Sequence, residues 1–168
     1  MDLLAKLNRR MGLPHDVATM RTLNDLFYQP LADHARLEPG VHTMLATLRD
    51  RGLALAIVSN TFVPAHTLDA HLERVGLLEF FPVRLYSCET IYRKPHRRIF
   101  QMAAAAVNAR CRECLFVGDR PDTDVKGARR AGMIAVLKRA EPATGRWRSD
   151  HHVTRLAEEL PAIVDRLR

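Results

Sequence analysis

Residues 115–124 read Leu115-Phe116-Val117-Gly118-Asp119-Arg120-Pro121-Asp122-Thr123-Asp124, and Val125-Lys126-Gly127-Ala128-Arg129-Arg130-Ala131-Gly132-Met133 follow. A short apolar run ends in Gly-Asp, and another carboxylate arrives five residues after Asp119, where a helical pattern begins. In an α/β protein this places Asp119 and Asp124 at the carboxyl end of a buried strand, where open sheets collect their ligands. Two carboxylates held close there repel each other unless a cation lies between them. A hard divalent ion with oxygen ligands, Mg²⁺, suits such a pair. The competing reading is ordinary turn chemistry, with Asp122 or Asp124 capping the helix.

Two upstream stretches bear on the choice. Leu53-Ala54-Leu55-Ala56-Ile57-Val58 runs into Ser59-Asn60-Thr61, and Pro64 then fits the first turn of a helix. Tyr92-Arg93-Lys94-Pro95 precedes a helical spacing of Ile99, Met102, Ala103 and Val107. From Gly40 onward the pattern alternates. Helices are expected over 41–51, 64–75, 96–109, 124–131 and 154–167, and strands over 53–58, 83–87, 114–118 and 134–138. Glycines 52, 76 and 132 stand where three of these helices end, in a capping role. Strands alternating with helices predict a parallel sheet. Pro161 interrupts the last helical pattern, which should start there or kink. Residues 1–38 carry apolar residues at helical spacing: Leu3, Leu4 and Leu7, then Val17, Met20, Leu23, Leu26 and Phe27.

Taken in this order, Ser59, Lys94, Asp119 and Asp124 make the chain resemble the haloacid-dehalogenase-like (HAD) superfamily, in its branch with a helical cap near the amino terminus. The resemblance runs from about Glu38 to Met133. Ser59 matches the family's second motif, Lys94 the third, and Asp119 with Asp124 the fourth. It implies an α/β fold, a Rossmann-like parallel sheet flanked by helices. Residues 1–38 would then be a remnant of the helical cap and 39–168 the core. Dehalogenase members need no metal, whereas Gly-Asp-x-x-x-x-Asp implies the Mg²⁺-dependent phosphatase side, acting on a small phosphorylated metabolite. Asp119 and Asp124 are then the metal ligands, and Asp122 a cap or supporting group.

The remaining matches have their own physical logic. Phosphoryl transfer asks a protein for positioning and for charge stabilisation on the transferring oxygens. The Ser59 hydroxyl and the backbone N–H of Asn60 can each donate a hydrogen bond to a phosphoryl oxygen, although Ser-Asn-Thr is also ordinary turn chemistry. Lys94 supplies a compact, mobile positive charge for substrate binding and catalysis. Lysine is sparse in this arginine-rich chain, occurring at positions 6, 94, 126 and 138, so its presence at the motif position is informative. After Lys94-Pro95 the family often carries an acidic residue and a proline, where this chain has His96 and Arg97. That departure adds charge near the lysine.

One motif is missing. The family's nucleophile is the first aspartate of Asp-x-Asp-x-Thr after a hydrophobic strand, and no such pattern occurs in these residues. Asp2, Asp16, Asp25 and Asp33 do not follow apolar strands. Phosphate-monoester hydrolysis is among the slowest uncatalysed reactions, accelerated by enzymes up to ~10²¹-fold. Donors and a metal without a nucleophile do not supply that, so the chain is expected to be truncated and inactive as given. The alternative is a non-catalytic relative that binds phosphate or a protein. The family's first strand lies between the strand ending at Ser59 and the one ending at Asp119. Without it the sheet must close over the gap, recruit a partner or be loose.

Composition sets the outer bounds. With 168 residues and 47% apolar content, the chain suits one globular domain. No run approaches the roughly 18 consecutive apolar residues of a membrane helix, and no signal-peptide pattern opens it. A soluble cytoplasmic protein is expected. The net charge of +7 raises nucleic acid as a rival partner. The basic residues are spread along the chain, however, and 6% aromatic content supplies few stacking platforms, so nucleic acid is set aside. Cys111-Arg112-Glu113-Cys114 has the spacing of a zinc pair but lacks a second Cys/His pair, which leaves Cys114 as a small buried hydrophobe.

Overall fold

A computed structural model describes residues 3–167. Helices α1 (Leu3–Arg10) and α2 (Val17–His34) come first. They are followed by α3 (Val41–Asp50), β1 (Ala56–Ser59), α4 (Ala65–Arg74), β2 (Val83–Tyr86) and α5 (Arg97–Ala106). The chain continues with β3 (Leu115–Gly118), α6 (Lys126–Ala131), β4 (Ile134–Lys138), β5 (His151–Val153) and α7 (Leu156–Leu167). Every pairing is parallel. β1 runs beside β2 from Ala56↔Val83 to Ser59↔Tyr86, β3 beside β4 from Leu115↔Ile134 to Gly118↔Leu137, and β5 joins the far edge of β4.

The strands do not form one sheet. β1 and β2 make one sheet and β3, β4 and β5 another, with no ladder joining β1 to β3 among the described residues. All four residues of β1 and all four of β3 are half-buried, whereas three of the five in β4 are buried. The strands pair in parallel as expected, and the break falls where the family's first strand would lie, so the sheet does not close over that gap.

What holds the two sheets side by side is side-chain packing. Alternation sends Phe116 of β3 to one face and Leu115 and Val117 to the other. On the first face Ile99 and Phe100 of α5 gather Val58 and Leu85 from one sheet and Phe116, Ala135 and Leu137 from the other. On the second face Met44, Leu45 and Leu48 of α3 and Leu160 of α7 gather Leu53, Leu55, Leu115 and Val117. Two apolar layers therefore span a break in the backbone ladder. Ile99, Phe100 and Leu137 are fully buried, each contributing about 1.5–3 kcal/mol.

The elements depart from the sequence expectation at four places. The strand expected over 53–58 is Ala56–Ser59, because Leu53 and Leu55 serve as packing residues of the α3 layer before the ladder begins. The segment after β3 opens as one wide π turn, Pro121–Val125, before α6. Such turns insert a residue into the helical ladder, frequently at functional sites. β5 was not foreseen as a strand, since only Val153 among its residues is apolar and buried. Asp150 anchors its start, accepting from Ala135 N–H at 2.8 Å and donating its own N–H to the Ala135 carbonyl at 2.9 Å. Finally, α7 continues through Pro161. A proline inside a helix costs about 3 kcal/mol, which burial of Leu160 and Ile163 at roughly 1.5–3 kcal/mol each offsets.

Ahead of residue 38 the described residues form two helices, Leu3–Arg10 and Val17–His34, where the apolar spacing predicted helix. Asp16 caps α2, its carboxylate accepting from Thr19 N–H at 3.0 Å, and the helix lies against α4. There the buried Thr67 hydroxyl donates to Asp25 at 2.8 Å, and Phe27 meets Phe62 edge-on. No helix among the described residues is long and apolar enough to cross a membrane.

Candidate active site

The carboxyl ends of β1 and β3 open into a pocket of about 380 Å³, lined by Ser59, Asn60, Arg93, Lys94, Asp119, Arg120, Thr123 and Asp124. All five residues singled out from the sequence (Ser59, Asn60, Lys94, Asp119 and Asp124) therefore meet at one rim. A larger hollow of about 480 Å³, lined by residues between Pro142 and His152, contains none of them.

Ser59 is the last residue of β1, and its carbonyl accepts from the Ser87 N–H at 2.9 Å. The following turn is pinned by the Ser87 hydroxyl, which accepts from Thr61 N–H at 2.9 Å and donates to the Thr61 carbonyl at 3.1 Å. The Asn60 side chain crosses to the next motif. Its Nδ2 donates to the Lys94 carbonyl at 2.8 Å, and its Oδ1 accepts from the Lys94 N–H, also at 2.8 Å. Asn60 had been expected to act through its backbone N–H; the structure gives its carboxamide a separate task. The Lys94–Pro95 peptide is cis.

Asp124 lies at the centre. It is 3% exposed although it bears a carboxylate. The π turn brings it back over its own strand, where Oδ2 accepts from the Arg120 N–H at 3.0 Å. Oδ1 lies 2.8 Å from the Lys94 ammonium. That contact is an ion pair, and Oδ1 is buried without a hydrogen-bond partner. The Lys94 ammonium also sits 5.4 Å above the Phe116 ring. Asp119, directly after β3, is exposed at the mouth of the pocket. Asp122 does not line it. Arg120 grips Asp122 at 2.9 and 3.3 Å and holds its carboxyl below the usual carboxylate range.

Gly118 makes this geometry possible, and the sequence reading had assigned it no role of its own. A Cβ at this position would stand 2.4 Å from both Cβ and Oδ2 of Asp124, well inside contact distance. Gly-Asp at a strand end followed by a buried acid was the available signal. Gly127 plays a similar part behind the pocket, since a Cβ there would meet the Phe100 ring at 2.3 Å and Pro95 Cα at 3.1 Å. Arg93, Arg120 and Thr123 were not among the expected site residues; they add two guanidinium groups and a hydroxyl to the rim.

The donor set can be tested for a metal. Among the described residues no group of three or more His, Cys, Asp or Glu side chains forms a cation cage. Mg²⁺ does not require one, because it retains several waters and is bound by one or two carboxylates together with substrate phosphate. Asp119 and Asp124 fit that requirement, with Oδ1 of Asp124 held by the Lys94 ion pair alone. Cys111 and Cys114 carry free thiols that pack against the α5 cluster; Cys114 is half-buried there, not the buried hydrophobe expected from the sequence.

Comparison with known proteins identifies the family. A family profile described as haloacid dehalogenase-like hydrolase matches residues 2–132. A phosphoserine phosphatase of Thermus thermophilus is 42% identical over 103 residues, covering 60% of this chain and 39% of that protein. A glyceraldehyde 3-phosphate phosphatase of Methanopyrus kandleri is 36% identical over 130 residues, covering 77% and 55%. The chain thus spans between 39% and 55% of the length of these two relatives. Among solved structures, a HAD phosphatase of Thermococcus onnurineus superposes with a TM-score of 0.71 at 25% identity, over 95% of this chain and 85% of that one. Fold, motif order and family match agree that this chain belongs to the haloacid dehalogenase-like hydrolases.

Proposed function

We propose that the chain forms the phosphate- and metal-binding part of a Mg²⁺-dependent phosphatase of small phosphomonoesters. The observation that carries this reading is the convergence of Ser59, Lys94, Asp119 and Asp124 on one pocket from three separate stretches of sequence. The Ser59 hydroxyl and the Asn60 backbone N–H donate to two phosphoryl oxygens. Lys94 neutralises a third, in a charge-assisted contact of roughly 1.5–3 kcal/mol. Asp119 and Asp124 hold Mg²⁺, which when bound neutralises charge developing on the phosphoryl group. Arg93 and Arg120 draw the anion toward the rim.

These residues do not include a nucleophile. No carboxylate of the chain lies in Asp-x-Asp-x-Thr, and the open edges of β1 and β3 are where a strand bearing one would pair. The chain as given therefore binds phosphate without turning an ester over. The likeness to phosphatases in two curated relatives and one solved structure supports the substrate class, a small phosphorylated metabolite. The test is calorimetric titration with inorganic phosphate in the presence of Mg²⁺, beside a turnover assay on p-nitrophenyl phosphate. Binding that Lys94→Ala or Asp119→Ala weakens, with no release of p-nitrophenol, is the expected result. Turnover abolished by Asp119→Ala would overturn the inactive reading, and no phosphate binding at all would overturn the site.

A further inference from the structure

We infer that the Asn60 carboxamide is a positioning group for Lys94, acting through the backbone of the lysine, while the Asn60 backbone N–H stays free for the phosphoryl group. The inference rests on the phosphate-binding reading of Lys94. Three observations carry it. The Asn60 carboxamide makes two hydrogen bonds of 2.8 Å to the N–H and C=O of a single residue 34 positions away. Only a side chain presenting a donor and an acceptor in one plane satisfies both groups of one residue, and that pattern also fixes which way the amide faces. The ammonium of Lys94 then meets Asp124 at 2.8 Å, and its side chain is 13% exposed.

The geometry explains why a clamp is needed. Lysine is a point charge on a flexible stem with considerable rotamer freedom. Lys94 belongs to a loop between β2 and α5, whereas the donors that would share its anion stand at the end of β1. β1 is paired only with β2 among the described residues, so the loop needs a direct tie to the strand end. Asn60 follows Ser59 immediately, so the residue that fixes the lysine backbone adjoins the hydroxyl expected to share the phosphate. Aspartate at this position would accept from the Lys94 N–H but would set a carboxylate oxygen against the Lys94 carbonyl. Alanine would leave both backbone groups without this partner.

The test is a double-mutant cycle on inorganic phosphate affinity, using Asn60→Ala, Lys94→Met and the pair, measured calorimetrically with Mg²⁺ present. If Asn60 acts through Lys94, Asn60→Ala weakens binding by about three- to tenfold, the scale of losing such contacts. In the Lys94→Met background it then costs nothing further. An equal loss in both backgrounds, or none in either, overturns the inference, since general loosening of the fold would not depend on the lysine. A second measurement needs no phosphate: the ¹³Cε resonance of Lys94, assigned by comparison with Lys94→Met. It should move toward the value of an exposed lysine in Asn60→Ala, and partway in Asn60→Asp, which keeps the acceptor. An unmoved resonance in a folded Asn60→Ala protein overturns the positioning role. Should the unsubstituted chain fail to bind phosphate, the proposed function falls, and the resonance still decides on Asn60.

Discussion

Gly118 decides whether Asp124 can turn back onto its own strand. Any side chain there meets the carboxylate at 2.4 Å, and Asp124 is too buried to swing aside without disturbing Lys94. Overpacking of this kind costs about 1–3 kcal/mol. Gly118→Ala is accordingly expected to lower stability by that amount in urea unfolding and to abolish Mg²⁺-dependent phosphate binding. A variant with unchanged phosphate affinity would show that Asp124 does not need this position. Asp124→Asn makes the complementary change, keeping the shape and removing the charge. Breaking a buried ion pair costs roughly 3–5 kcal/mol, and here the lower end is expected because Lys94 retains some exposure. The site residues were legible in the sequence because phosphoryl chemistry depends on residue types in a fixed order. The Lys94–Asp124 contact, the Asn60 clamp and the role of Gly118 were not, since each depends on how a π turn and a loop fold back in space.

At the scale of elements, the join between α4 and β2 is electrostatic. Asp69 on α4 takes two hydrogen bonds from Arg84, at 2.8 and 3.1 Å, and one from the Tyr86 hydroxyl at 2.7 Å. Partial burial pushes the Asp69 carboxyl up, but its bonds to Arg84 and Tyr86 outweigh it and hold the group below its ordinary value of 3.8. Burial, seconded by Asp69, pushes the Tyr86 hydroxyl well above its ordinary range. A depressed folded-state value means the network contributes its full stability above about pH 4 and loses it as pH falls further, through the folded value. Asp69→Asn should lose roughly 1–3 kcal/mol at neutral pH, with a smaller further loss on acidification than the unsubstituted chain. Urea unfolding at pH 7 and pH 3 checks both; an equal acid loss in the two proteins would count against the network. Elements with strong apolar periodicity, such as α3, β4 and α5, were legible to within a few residues. β5 was hidden because two histidines and one valine carry no alternation, and it exists through backbone pairing to β4 and the Asp150 anchor.

For the whole molecule, the divided sheet is the dominant feature. β1 and β3 each have one paired edge, while apolar layers from α5 on one face and from α3 and α7 on the other roof the interval between them. A strand buried on both faces reads as a near-continuous apolar run, and about five or six residues suffice. Several such side chains at roughly 1.5–3 kcal/mol each are comparable with the whole ~5–15 kcal/mol of a domain's net stability. Joining a Val/Ile-rich strand ending in Asp-x-Asp-x-Thr ahead of residue 1 is therefore expected to do two things. It should raise the denaturation midpoint together with the urea m-value, because more surface is then buried on folding. It should also confer Mg²⁺-dependent turnover of p-nitrophenyl phosphate, which is lost when the first aspartate of the added motif becomes asparagine. Both effects need the added strand to pair with β1 and β3, since only there does its carboxyl end reach the rim holding Ser59, Lys94 and Asp119. A Pro substituted at the middle of the added strand removes a ladder hydrogen bond and should cancel the gains in stability and turnover together. Turnover that survived this change would mean that the nucleophile reaches the pocket by another route.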